Sequence, residues 1–72
     1  MLGEELRKAR EGAGLTQERL AFRAGVSRPY VSQLERDLKS PTMDALFRIC
    51  EALGVRASAL IARVEQARDA TG

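Results

Sequence analysis

The sequence predicts an all-α fold, a compact repressor-sized domain of five short helices. Three observations carry this expectation. Apolar residues recur at three- and four-residue spacing along almost the whole chain, and no stretch alternates with period two for long enough to make a strand. Thr16, Ser27 and Thr42 each precede an apolar run, where a side-chain oxygen can accept from the free N–H groups of a helix start. Glycine follows the runs that end near residues 12, 24 and 53, as it does past a helix end.

In chain order, helix 1 is predicted over 2–12, with Leu2, Leu6, Ala9 and Ala13 on one stripe and "GAG" at 12–14 ending it. Thr16 caps helix 2, predicted over 16–24, and Ser27 caps helix 3, predicted over 27–37. "LKSP" is a loop, after which Thr42 caps helix 4, predicted over 42–53 and ended by Gly54. Helix 5 is predicted over 57–68, although Arg56 stands where a capping serine is common. The domain is then 1–68, and "DATG" at 69–72 reads as a frayed, disordered tail.

Length and composition exclude several classes of function. A chain of 72 residues makes one domain whose core is barely sufficient, so stability must come from tidy packing, from a second copy, or from both. One cysteine, Cys50, excludes an intramolecular disulfide, and one thiol without any histidine leaves no zinc site. Cys50 reads as a small hydrophobe inside helix 4. No apolar run approaches the roughly 18 residues of a membrane span, and "MLGEELRKAR" is charged too early for a signal peptide. The expectation is a soluble, cytoplasmic protein. Without histidine, a prominent carboxylate pair or a glycine-rich phosphate loop after a strand, it is not read as an enzyme, and neither cofactor nor small-molecule ligand is expected.

The net charge of +2 is unevenly spread. Residues 1–6 carry Glu4 and Glu5; residues 7–40 carry eight Lys or Arg against Glu11, Glu18, Glu35 and Asp37; residues 41–72 balance four against four. The positive excess therefore falls on helices 1 to 3 and suits a polyanion. At about 100° per residue, Val31 and Leu34 of helix 3 share one side, while Arg28, Pro29, Ser32, Gln33 and Arg36 fill an arc of about 140° opposite. An ordinary wet helix face mixes Glu with Lys. This arc carries no carboxylate, and its groups can donate to phosphates and base edges. Between helices 2 and 3 only Gly25 and Val26 turn the chain, and small Ala21 allows a close crossing.

These residues carry a family resemblance. "LTQERLAFRAGVSRPYVSQLER" resembles the helix-turn-helix of the phage-repressor (Cro and repressor) family, also called the xenobiotic-response-element family, with Gln17, Ala21, Gly25, Val31, Leu34 and Glu35 at its spacing. "SPTMDALFRICEALGV" is similar to the segment that follows there. The resemblance implies that helix 3 lies in the major groove of double-stranded DNA, with Arg28, Pro29, Ser32 and Gln33 facing bases. Gln17 then matches a phosphate contact at a helix start, and Thr16, Arg36, Lys39 and Ser40 are further backbone candidates. Tyr30 either reaches a phosphate through its hydroxyl or packs. Stand-alone domains of this kind resemble restriction–modification controller proteins, phage switches and antitoxins. Asp37 departs from the glycine common after helix 3, but aspartate tolerates the left-handed conformation better than most residues.

Arg10 lies on the apolar stripe of helix 1, where a lone charge would be costly, and Glu35 lies beside Val31 at the margin of the apolar face of helix 3. The two are expected to meet as a structural, bidentate ion pair, and the resemblance implies the same pairing. Helices 4 and 5 carry more apolar surface than a chain this size can cover, so Phe47, Leu60, Ile61 and Val64 are expected to form a homodimer interface. A twofold dimer reads two half-sites, and the expected function is sequence-specific regulation of transcription at a near-palindromic operator. The alternative is a helical protein-interaction module such as an antitoxin. The two differ in the arc on helix 3, since a protein-binding face should be aromatic and apolar at its centre.

Overall fold

A computed structural model describes residues 1–71. It consists of α1 (Leu2–Gly12), α2 (Gln17–Ala24), α3 (Arg28–Glu35), α4 (Met43–Leu53) and α5 (Ala57–Thr71), and no strand occurs among the described residues. The three predicted caps form: the hydroxyls of Thr16, Ser27 and Thr42 accept from the backbone N–H of Arg19 (3.1 Å), Tyr30 (3.2 Å) and Ala45 (3.0 Å). α2 packs against α3 and α4, α1 packs against α3 and α5, and α4 also meets α5. The core lies where these contacts converge, on Leu6, Leu20, Val31, Leu34, Ile49 and Leu60, each at most 2% exposed. Small Ala21 and Ala24 are also buried there, which lets α2 lie close to its neighbours.

α2 is closed by Gly25 in the left-handed conformation (φ 71°), with the Val26 N–H donating to the Ala21 carbonyl at 3.0 Å. α3 closes with the same hydrogen-bond pattern but without glycine. Asp37 has φ 56°, its N–H donates to Leu34 O at 3.1 Å, and the Leu38 N–H donates to Gln33 O at 2.9 Å. The closure ends α3 at Glu35, two residues before the predicted 37, because the chain has already turned at Asp37.

Three further expectations are corrected. Ala13 is exposed, because α1 ends at Gly12 and its apolar stripe stops with half-buried Ala9. α5 begins at Ala57 as predicted, its first turn using the Arg56 carbonyl, but runs to Thr71 instead of 68. "EQARDAT" contains no helix breaker, so the tail expected from 69 continues the helix; Gly72 lies outside the described residues. Leu60, expected in a dimer interface, is 1% exposed in the chain's own core, since α5 folds back on α1.

Candidate nucleic-acid interface

The inner side of α3 is held by a polar network. Arg10 Nε donates to Glu35 Oε2 at 2.6 Å and Arg10 Nη2 donates to Glu35 Oε1 at 3.1 Å, so the pairing is bidentate. Arg10 Nη1 donates to the Leu15 carbonyl at 2.8 Å, and Gln17 Nε2 donates to Glu35 Oε1 at 3.1 Å. The Glu35 carboxylate thus joins α1, α2 and α3, and Arg10 ties the turn after α1 to the same network. The Arg10 and Glu35 side chains are only 12% and 4% exposed, so the charges are largely removed from water and depend on each other. Hydrogen bonding to Glu35 holds the Arg10 guanidinium more firmly protonated than a free one.

Two supports of the same junction were not legible in the sequence. Gly3 lies against the end of α3: an added Cβ would fall on the Glu35 carbonyl oxygen and stand 2.7 Å from that of Leu34. The Asp37 carboxylate accepts from the Gly3 N–H at 2.9 Å and from the Met1 ammonium at 3.0 Å, capping the start of α1. Those bonds, the one to the ammonium first, hold the Asp37 carboxyl below the usual carboxylate range. Gln17 was expected only at a phosphate. The structure also gives it Glu35, which leaves its second N–H and its carbonyl oxygen for other partners.

The outer side of α3 is arranged differently. Arg28 and Pro29 are exposed, Ser32 and Gln33 are half-buried, and the side chains of Arg28, Ser32 and Gln33 make no hydrogen bond or ion pair among the described residues. Arg36, Lys39 and Ser40 are exposed beyond the end of α3, and Thr16 is exposed at the start of α2. Thr16, Gln17 and Arg28 line one surface cleft, which links the start of α2 to the start of α3. Tyr30 is half-buried against the core, with the Lys39 ammonium 5.9 Å from its ring centroid. Packing therefore accounts for the ring of Tyr30.

Elsewhere, Phe47 is 55% exposed, Ile61 40% exposed and Val64 half-buried, so these three remain available to a second copy whereas Leu60 does not. Cys50 is buried, and burial pushes its thiol up. No helix of the described residues is long and apolar enough to cross a membrane.

Two helices at a tight left-handed corner, the second presenting uncommitted donors outward, define a helix-turn-helix domain. The chain belongs to the helix-turn-helix family of transcriptional regulators, whose model matches residues 6–60. It is 46% identical over 61 residues to an uncharacterised HTH-type transcriptional regulator of Mycobacterium tuberculosis, covering 85% of this chain and 44% of that protein. The control protein C.BamHI of Bacillus amyloliquefaciens is 32% identical over 62 residues, covering 85% and 76% of the two chains. The biofilm master regulator SinR, solved in complex with DNA, superimposes with a TM-score of 0.80 at 31% identity over 85% of this chain and 98% of that one. All three are regulator or control proteins. The chain spans less than half the length of its mycobacterial relative.

Proposed function

We propose that this chain is a sequence-specific reader of double-stranded DNA that acts as a homodimer in transcriptional regulation, with α3 in the major groove. The observation that carries the reading is the contrast within α3. Its inner side is fixed by Arg10, Glu35 and Gln17, and its outer side offers the side chains of Arg28, Ser32 and Gln33 without internal partners. Arg28 suits guanine and Gln33 suits adenine, while Pro29 and Ser32 add contacts at base edges. Thr16, Gln17, Arg36, Lys39 and Ser40 hold phosphates and set the register; the Tyr30 hydroxyl is placed with them at the edge of the arc. The family membership and the likeness to a regulator solved with DNA support the same assignment.

Dimerisation uses Phe47 and Ile61, with Val64 at the margin, and the operator is a near-palindrome with half-site centres about 34–36 Å apart. A protein partner has one observation in its favour: Phe22, 83% exposed on the outer side of α2. That residue lies off the basic arc of α3, so the two surfaces are separable by mutation. Selection from a random duplex pool at physiological salt tests the reading. Recovery of a palindrome with that spacing is the expected result. Retention without preference, or none, overturns it in favour of a non-specific or protein-binding role.

A further inference from the structure

The sequence assigns no role to Arg7, an exposed residue on the face of α1 that meets α3. It lines a cleft of ≈ 420 Å³ with Glu4, Arg10, Gln17, Glu35, Arg36 and Asp37. Each acid of this cleft is already matched. Glu35 is held by Arg10 and Gln17. Asp37 is held by the Gly3 N–H and the Met1 ammonium. Glu4 lies 3.3 Å from Lys8 Nζ, which it shares with Glu5 at 3.7 Å. Arg7 and Arg36 remain: neither side chain makes a hydrogen bond or ion pair among the described residues, although Glu11 stands at i+4 from Arg7. With those acids engaged, the cleft holds two guanidiniums without side-chain partners, one from α1 and one from the end of α3. Planar forks of five donors suit phosphate oxygens.

Gln17 ties this cleft to the rest of the surface. With Arg10, it lines both this cleft and the one that contains Thr16 and Arg28. We infer that Arg7 and Arg36 clamp a DNA backbone phosphate in the cleft between α1 and the end of α3, so that the footprint runs from Arg28 over Gln17 and onto α1. The inference rests on the DNA-reading function proposed above. It adds a contact that sets register and affinity but carries no base preference.

The experiment measures affinity for the selected operator and for random duplex of equal length, across a salt series, for wild type, Arg7→Gln and Arg7→Lys. Arg7→Gln is expected to weaken both duplexes by the same factor, roughly three- to tenfold per protomer, and to lower the log–log salt slope by about 0.9 per protomer, about 1.8 for the dimer. Arg7→Lys should keep the wild-type slope, and neither variant should shift the melting temperature. Affinity and slope unchanged in Arg7→Gln would overturn the clamp while leaving the proposed function intact. A loss confined to the operator would overturn it by making Arg7 a base reader, and a lowered melting temperature by making it structural. If wild type itself showed no salt-dependent duplex binding, the proposed function would fall first and the clamp with it.

Discussion

The two sides of α3 differ in how their polar groups are used. On the inner side Glu35 accepts three hydrogen bonds from two other helices, Gly3 lets α1 approach to backbone contact, and Asp37 caps that helix. On the outer side the side chains of Arg28, Ser32 and Gln33 have no internal partner. The difference teaches how a domain with so small a core can hold one helix face fixed and leave the other free for the proposed reading role. The eight-residue α3 gives the core two fully buried side chains, Val31 and Leu34. The desolvated ion pair supplies direction, because hydrogen bonds constrain angle where apolar contacts mainly constrain distance. Side chains opposite can then stay free without costing orientation, which is the preorganisation that specific binding needs.

This contrast can be broken from the inner side with the largest effects. Arg10→Ala strands the Glu35 carboxylate with Gln17 as its remaining partner, and should cost about 3 kcal/mol in thermal or urea unfolding. A melt that matches wild type would remove the ion pair from the account. Gly3→Ala places a methyl group on the Glu35 carbonyl, which is backbone and has little freedom to yield. A loss of about 1–3 kcal/mol is expected, together with weaker operator binding as α1 pushes α3 aside. Wild-type stability in this variant would show that the helices separate easily.

On the outer side the expected effects move from stability to binding. Arg28→Ala and Gln33→Ala should leave the melting temperature within the scatter of surface substitutions and each reduce operator affinity by about 1–3 kcal/mol. Asp37→Asn sharpens the comparison at its edge. The folded carboxyl titrates below its unfolded value, so its stabilisation is present above the ordinary carboxylate range and is lost as pH falls through the lowered folded value. Stability of wild type relative to Asp37→Asn should therefore be greatest near neutrality and shrink as pH falls through and below the ordinary carboxylate range. A difference independent of pH would mean the bonds to Gly3 and Met1 do not require the charge. The smallest effect on the fold belongs to Phe47→Ser, which should leave monomer unfolding nearly unchanged while shifting sedimentation toward the monomer. Sedimentation identical to wild type would remove Phe47 from the dimer surface.

Local chemistry was the legible part of this chain. Thr16, Ser27 and Thr42 cap because a hydroxyl two or three residues before free N–H groups is a short-range arrangement that sequence states directly. Arg10 and Glu35 were legible for a different reason: a charge on an apolar stripe demands a partner, and one acid stood at the edge of a facing stripe. What escaped depended on distant contacts. Nothing near Gly3 says that the carbonyls of Leu34 and Glu35 will lie against it. Leu60 and Ile61 are adjacent and both aliphatic, and only the docking of α5 on α1 decides which is buried. Gln17 was assigned to phosphate alone because its bond to Glu35 spans eighteen positions. Arg7 gave no signal because its meaning lies in which neighbouring acids are already taken.

The central claim is that the inner side of α3 sets its position and the outer side reads sequence. The most direct measurement is the ratio of operator to random-duplex affinity, at one salt concentration, for wild type, Arg28→Ala, Gln33→Ala and Gln17→Ala. The account predicts that the first two variants lose most of that ratio while keeping binding to random duplex, and that Gln17→Ala weakens both duplexes alike and keeps the ratio. Equal losses on both duplexes for Arg28→Ala and Gln33→Ala would contradict it, leaving the arc of α3 as a phosphate-binding surface without a reading function.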